Sequence, residues 1–329
     1  MISCVLSGPT ASGKSSLAIR LAKANGFEII CADSRQIYQG MELGTNAPNA
    51  DEKVIPHHLL GFLNPTEHYS PRTFARDVHI LLGKNPQTNF LLVGGTGLYI
   101  KELLFPSPFD RGATPDNIRL EAKAKLNEQG LSFWHGELVK VDPEGMRKVH
   151  PNDTYRILQR LENQLMQAGT SYTDFTGPAL PDPRFENTGI IALEMDRQKL
   201  YDRIDARVET MVQAGWMNEV KSLMEIPNWE NLPAYNSLGY GELTLVLQKK
   251  IELSEAIGKI RKRTRNYAKR QNTFFRKQLP KVQLWDPAPL EATLEACQWD
   301  WNRFLEQHPD AKNPNPSPQN PIENKDDAD

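Results

Sequence analysis

An apolar run, Ile2–Ser7, leads into Gly8-Pro9-Thr10-Ala11-Ser12-Gly13-Lys14-Ser15, and that octet restricts the possible folds more than any other feature of the chain. It matches GxxxxGK[ST] in full. Glycines at its ends let the backbone curl until successive N–H groups point inward as an anion nest. Lys14 adds positive charge, and a helix starting near Ser15 adds its N-terminal dipole. The Ser15 hydroxyl suits a Mg²⁺ bridging phosphate oxygens. Such a loop works only between a buried strand and a helix. Residues Ser15–Asn25 supply the helix, with Leu17, Ile19, Leu21 and Ala22 at apolar spacing and Gly26 as its stop.

The same alternation recurs along the chain. Phe27–Ala32 reads as a strand stopping at Asp33, and Phe90–Val93 as one stopping at Gly94-Gly95-Thr96 before a helix over Gly97–Leu104. Strands alternating with helices predict an α/β fold: a P-loop NTPase-like parallel sheet flanked by helices, with ligands at the strands' carboxyl ends. Composition changes near Pro106–Pro108, and Thr114-Pro115 predicts a helix start with Gly130 as its stop. Asn152 or Asp153 is placed to cap a helix running to Gly169, and a strand returns at Thr188–Glu194. Residues 107–186 therefore read as a mostly helical insertion in a core formed by 1–106 and 187–307. Helical patterns follow at 198–214, 216–225, 240–249 and 254–279, where the core reads as complete. Residues 308–329, poor in apolar side chains and rich in Pro, Asn and acid, predict a disordered tail.

A net charge of −2 conceals a local excess. The stretch 259–277 carries Lys259, Arg261, Lys262, Arg263, Arg265, Lys269, Arg270, Arg276 and Lys277 without one acid, interleaved with Tyr267, Phe274 and Phe275. On a helix this predicts a positive face for phosphates and an apolar face for the core. Cys4, Cys31 and Cys297 have neither pair spacing nor a histidine at a ligand interval, which argues against zinc or a disulfide framework and fits a reducing cytoplasm. The N-terminal apolar run is too short for a signal peptide, and no stretch approaches a membrane span.

The loop leaves its ligand open, since ATP and an organic diphosphate present the same oxygens. An NTPase usually ends a second strand in a carboxylate that assists Mg²⁺. Phe90–Val93 ends in Gly-Gly-Thr instead, although Asp33 ends another strand.

Several ordered blocks narrow the choice. They are Asp33-Ser34 with Ile37-Tyr38, Gly40-Met41 and Gly44-Thr45; Pro56-His57-His58-Leu59; and Gly94-Gly95-Thr96-Gly97-Leu98-Tyr99. His150-Pro151-Asn152-Asp153 with Arg156 follows, then Arg203 and Arg207 with Met211 and Gly215, Gly239-Tyr240 with Glu242, and Thr264–Gln271. With the phosphate loop, these make the chain resemble the bacterial tRNA dimethylallyltransferases from residue 3 to about 285. The resemblance implies transfer of the five-carbon group of dimethylallyl diphosphate to N6 of adenine 37, just 3′ of the anticodon, in tRNAs reading codons that begin with U. It further implies Mg²⁺ as cofactor and a monomer that engages the anticodon stem-loop.

In that reading Gly8 to Ser15 grip the diphosphate, with Ser15 on the metal and Arg207 on the same leaving group. Asp33 takes the amine proton and Thr96 orients the base. Asp33, Ser34, Arg35, Gln36, Thr96, Arg119, Tyr155, Arg156, Gln159, Gly239, Tyr240, Arg265, Lys269, Arg270 and Gln271 line the RNA path. Simpler roles stand beside these: Asp33 and Thr96 as helix caps, Arg207 as a solvated helix charge, and His57 and His58 as structural or RNA-side residues. Ala47, Gln159, Asn266 and Phe274 depart from the family pattern, in which Lys, Arg, Gln or Arg, and Trp are usual. A P-loop nucleotide kinase, an RNA-binding NTPase switch and an adenylate prenyltransferase are the alternatives; the helical insertion and basic stretch favour RNA over free AMP.

Overall fold

The computed structural model describes residues 1–49, 52–106, 116–147, 149–166, 181–186, 188–280 and 282–309. The chain divides into two compact units, Met1–Leu104 with the chain from Pro183 on, and Phe105–Asp182.

In the first unit, β1 (Ile2–Ser7) is followed by α1 (Lys14–Asn25), β2 (Glu28–Cys31), β3 (His57–His58), α2 (Pro71–Lys84), β4 (Phe90–Gly94) and α3 (Gly97–Leu104). Six parallel strands run in the order β3-β2-β4-β1-β5-β6, the last two being β5 (Gly189–Leu193) and β6 (Gln283–Trp285). Strands β4 and β5 are buried at every position, as central parallel strands covered on both faces must be. The connection after β1 crosses to β2, whereas the one after β4 crosses to β5 on the opposite side. The crevice for a ligand therefore opens at the carboxyl ends of β1 and β4.

The second unit contains α4 (Asp116–Gln129), α5 (Leu131–Val141), α6 (Pro143–Met146) and α7 (Thr154–Met166) around Leu126, Leu138, Met146 and Ile157. Asp142 ties it together. One carboxylate oxygen accepts the Gly145 N–H at 2.9 Å, and the other meets Arg160 at 2.7 Å. Asp153 caps α7, accepting the Arg156 N–H at 3.1 Å. The expected helix start at Thr114-Pro115 and the stretch leading to Gly169 lie outside the described residues.

The chain then returns to the sheet through β5 and continues as α8 (Arg197–Gln213), α9 (Trp216–Leu223), α10 (Tyr240–Leu247) and α11 (Leu253–Gln278). The core does not end there. Beyond β6, α12 (Pro287–Ala296) and α13 (Trp301–Gln307) bury Leu290, Leu294, Cys297, Trp301, Phe304 and Leu305 in the cluster that holds β1 and α1. Their local signals are Asp-based caps. Asp286 accepts from Ala288 N–H ahead of Pro287, and Asp300 from Arg303 N–H. The expected tail, 308–329, lies outside the described residues except for His308 and Pro309. His308 closes α13 and packs its ring on Phe304 and Trp285. Among the described residues, no helix is long and apolar enough to cross a membrane.

Trp301 is 2% exposed, stacks on Phe304 at 5.0 Å, and donates its indole N–H to Ser3 O at 3.1 Å. Trp301→Ala is expected to destabilise the first unit by about 3–5 kcal/mol. A lower urea midpoint at unchanged m-value would show it.

Candidate functional site

Parallel register sets Ser7 opposite Gly94 and Cys31 opposite Val93, so the loops leaving β1, β4 and β2 emerge side by side. After β1 the chain curls through Ala11 (φ 65°) and Gly13 (φ 93°) in left-handed conformation, then enters α1. Holding the non-glycine Ala11 there stores backbone strain, a pattern common at ligand cradles. Two N–H groups of the loop are already committed. That of Ser12 goes to Pro9 O at 3.3 Å, and that of Thr10 to Gln271 Oε1 at 2.9 Å. Neither of those two N–H groups is free for an anion, which leaves that part to the remaining N–H groups of the loop. The buried Ser12 hydroxyl has no hydrogen-bond partner among the described residues.

Three cations surround this loop. Lys14 Nζ reaches Pro9 O at 3.4 Å, Arg207 donates to Thr10 Oγ1 at 3.3 Å, and Arg203 donates to Ser12 O at 3.4 Å. Burial pushes the Lys14 ammonium down to about 8, with Asp33 opposing that fall and Arg207 adding to it. Burial first, and then Arg203, also lower Arg207. These charges repel one another until an anion arrives. Arg203 belongs to a motif block but was not expected at the loop; its spacing of one helical turn from Arg207 was the available signal.

Asp33 faces Lys14 and Ser15 across a pocket that also takes in Cys31, Gln36 and His57. Its Oδ1 accepts from Arg35 N–H at 2.9 Å and Gln36 N–H at 3.3 Å; the segment that follows is a turn and not a helix, so Asp33 closes an Asx-type turn that fixes the carboxylate in place. Burial, helped by Asp33, pushes the Cys31 thiol up to about 12, leaving it inert at neutral pH. Thr96 binds the ends of β2 and β4 together. Its Oγ1 accepts Ser34 N–H at 2.9 Å, and its own N–H donates to Ala32 O at 3.1 Å. Tyr267 on α11 lies beside Thr96, and burial with Asp33 pushes its phenol up to about 12. His58 pairs with Glu28 at 2.6 Å, a structural role, whereas His57 lines the pocket.

Several expected RNA contacts are engaged elsewhere. Gln271 is 5% exposed, and its amide bridges Thr10 N–H and Gly95 O. Tyr240 is fully buried with its hydroxyl on Glu219 at 2.7 Å, and a Cβ on Gly239 would strike Trp216. Gln36 donates to Thr45 O and Asn46 O, and Arg35 to Pro233 O. The family resemblance implies RNA contacts at Gln271 and Tyr240, but both side chains are buried and hydrogen-bonded within the protein here. The basic run of α11 is likewise thinned by acids distant in sequence. Arg261 pairs with Glu209, Arg263 with Glu242, Arg265 with Asp205, and Arg276 with Glu194. Lys262, Lys269, Arg270 and Lys277 remain exposed, with no ion pair among the described residues.

In the second unit, Arg156 and Gln159 are exposed on α7, and Arg119 on α4 faces Glu162 at 3.8 Å. The Tyr155 side chain lies outside the described residues. Of the departures from the family pattern, Asn266 is exposed, and Phe274 packs against Gly97, where a Cβ would lie 2.3 Å from its ring. Ala47 donates its N–H to Glu42 O. Among the described residues, no three His, Cys, Asp or Glu side chains converge on a metal position.

The IPP transferase family model matches residues 36–278, and an isopentenyl transferase model matches residues 1–55. A tRNA dimethylallyltransferase of Symbiobacterium thermophilum is 37% identical over 83% of this chain and 86% of its own length. That of Bacillus subtilis is 35% identical over 87% of this chain and 90% of its own. The crystal structure of a tRNA isopentenylpyrophosphate transferase from Bacillus halodurans covers 93% of this chain and 98% of its own, at 30% identity and a TM-score of 0.63. A eukaryotic dimethylallyltransferase solved acting on tRNA has a TM-score of 0.74 at 25% identity, over 93% of this chain and 77% of its own.

Lys14 is charged below about 8 and neutral above it. Pyrophosphate affinity is therefore expected to fall, by up to about tenfold per pH unit, as pH rises through that value. Calorimetric titration against Lys14→Arg, whose charge does not titrate, isolates the effect; parallel profiles for the two proteins would remove Lys14 from the anion site.

Proposed function

The chain belongs to the IPP transferase family, and from that membership we propose that it moves the dimethylallyl group of dimethylallyl diphosphate onto N6 of adenine 37 in tRNA, releasing pyrophosphate. One observation carries the reading. Lys14 and Ser15 at the end of the anion loop line one pocket with the carboxylate of Asp33, while Arg203 and Arg207 reach the loop at Ser12 O and Thr10 Oγ1, so one side suits a leaving diphosphate and the other an amine proton.

The chemistry divides accordingly. As the C1–O bond breaks, positive charge spreads over the allyl system and negative charge gathers on the bridging oxygen. Donors already aimed at that oxygen stabilise it without having to reorganise. The N–H groups of the Gly13–Ser15 segment, Lys14 and Arg207 are such donors, and Arg203 extends the set. The unpartnered Ser12 hydroxyl beside them is an orphan that a phosphate oxygen would satisfy. Adenine N6 is a weak nucleophile and sheds a proton as its bond to C1 forms. Asp33, anchored through Oδ1, takes that proton. Thr96, locked to Ser34, holds the base edge.

Magnesium fits this donor set. The Ser15 hydroxyl is a hard oxygen ligand, and Mg²⁺ needs few protein ligands when phosphate oxygens and water complete its shell. When bound, it neutralises diphosphate charge. For the RNA, the target base is already unpaired, so extruding it costs only stacking, about a few kcal/mol. Lys269 and Arg270 on α11, with Arg119, Arg156 and Gln159 in the second unit, are the residues through which this chain meets the anticodon stem-loop. The substrates are tRNAs that read codons beginning with U, modified by a monomer in the cytoplasm.

Purified protein with Mg²⁺, labelled dimethylallyl diphosphate and unmodified tRNA is expected to yield labelled N6-(dimethylallyl)adenosine on nuclease digestion. Tight ATP binding with phosphoryl transfer and no labelled nucleoside would point to a kinase instead. Asp33→Ala is expected to lower transfer about 10²- to 10⁴-fold while leaving donor binding intact. A near-normal rate in that variant would remove Asp33 as the base.

A further inference from the structure

The amide of Gln271 joins two loops that belong to opposite halves of the reaction. Its Oε1 accepts the N–H of Thr10, whose hydroxyl in turn accepts from Arg207. Its Nε2 donates at 2.8 Å to the carbonyl of Gly95, the residue before Thr96. Thr96 passes the connection on to Ser34, next to Asp33. A line of hydrogen bonds thus runs from the leaving-group cradle to the base side, and Gln271, from α11, is the member that joins the two loops directly. The fit is close, since a Cβ on Gly95 would lie 2.2 Å from Nε2 of Gln271. One turn along α11, Phe274 packs on Gly97 with similar closeness, so the helix grips the β4–α3 turn at two points.

We propose that Gln271 is a positioning residue that sets the distance between diphosphate and adenine, so that the allylic carbon is captured by N6 and not by water. The proposal rests on the transferase reading above. In-line displacement requires nucleophile, C1 and leaving oxygen to be aligned, and a small misplacement is costly in rate. If the clasp is lost, the C1–O bond still breaks and pyrophosphate still leaves. A water oxygen then bonds to C1 and gives up its proton to solvent, forming dimethylallyl alcohol.

The test measures two products at saturating donor and tRNA: modified adenine and total pyrophosphate. For the unaltered protein they should appear one to one. Gln271→Met keeps the volume and removes both hydrogen bonds. Its transfer rate is expected to fall about 10- to 100-fold, with KM for each substrate within about threefold and pyrophosphate in excess over modified adenine. Gly95→Ala, which displaces the amide while retaining Gln271, should show the same excess. It carries the test alone if Gln271→Met does not fold. Combined with Gln271→Ala, it should do no further harm. Equal loss of both products, or a wild-type transfer rate in a folded variant, would overturn the assignment. Unaltered protein that modifies no tRNA would instead reject the parent reading.

Discussion

The arrangement depends on a parallel ladder in which β4 lies between β1 and β2, setting Ser7 beside Gly94 and Val93 beside Cys31. Parallel strands all end on the same edge, and here three adjacent ends carry the phosphate loop, the Gly94-Gly95-Thr96 turn and Asp33-Ser34. Once these long-range strand pairs form, no further rearrangement is needed to bring a carboxylate to an anion cradle. The approach is close enough to exclude any side chain at Gly94, where a Cβ would come within 2.0 Å of Ala32 O. Pairing of the strands and closeness of the loops are therefore a single constraint.

Local pattern made much of this legible. Strand β1, the loop, α1 and the helices α8 to α11 are set by apolar periodicity and by glycine stops such as Gly26 and Gly215, all of which lie within short windows. The closing elements β6, α12 and α13 carry little periodic signal because each is short. Trp301 and Phe304 are apolar in any context and reveal a core position only once β1 and α1 are beside them. The share of the basic run that acids neutralise is illegible for the converse reason. Charge balance in three dimensions comes from Asp205, Glu209, Glu242 and Glu194, none of which lies within the run.

Charge placement at the loop follows from the reaction it serves. Lys14, Arg203 and Arg207 crowd one anion nest, and Asp33, the nearby carboxylate, is fixed by backbone N–H groups. Burial and mutual repulsion weaken the hold of Lys14 and Arg207 on their protons. Unrelieved positive charge is unfavourable in the free protein and favourable as soon as a diphosphate enters. The stabilisation then grows as the bond to carbon breaks and charge moves onto the leaving oxygen.

Helix α11 performs three tasks at once because a helix presents different residues every hundred degrees. Ala256, Ile260, Ala268 and Phe275 are buried in the core, Tyr267 and Gln271 reach Thr96 and Gly95, and Lys269 and Arg270 face solvent. A rotation of the helix that improved any one face would displace the other two. The exposed cations and the buried amide are therefore coupled through rigid backbone. In the proposed reaction, substrate grip and alignment of the reacting atoms would thus depend on one element, which is how a glutamine only 5% exposed would bear on the chemistry.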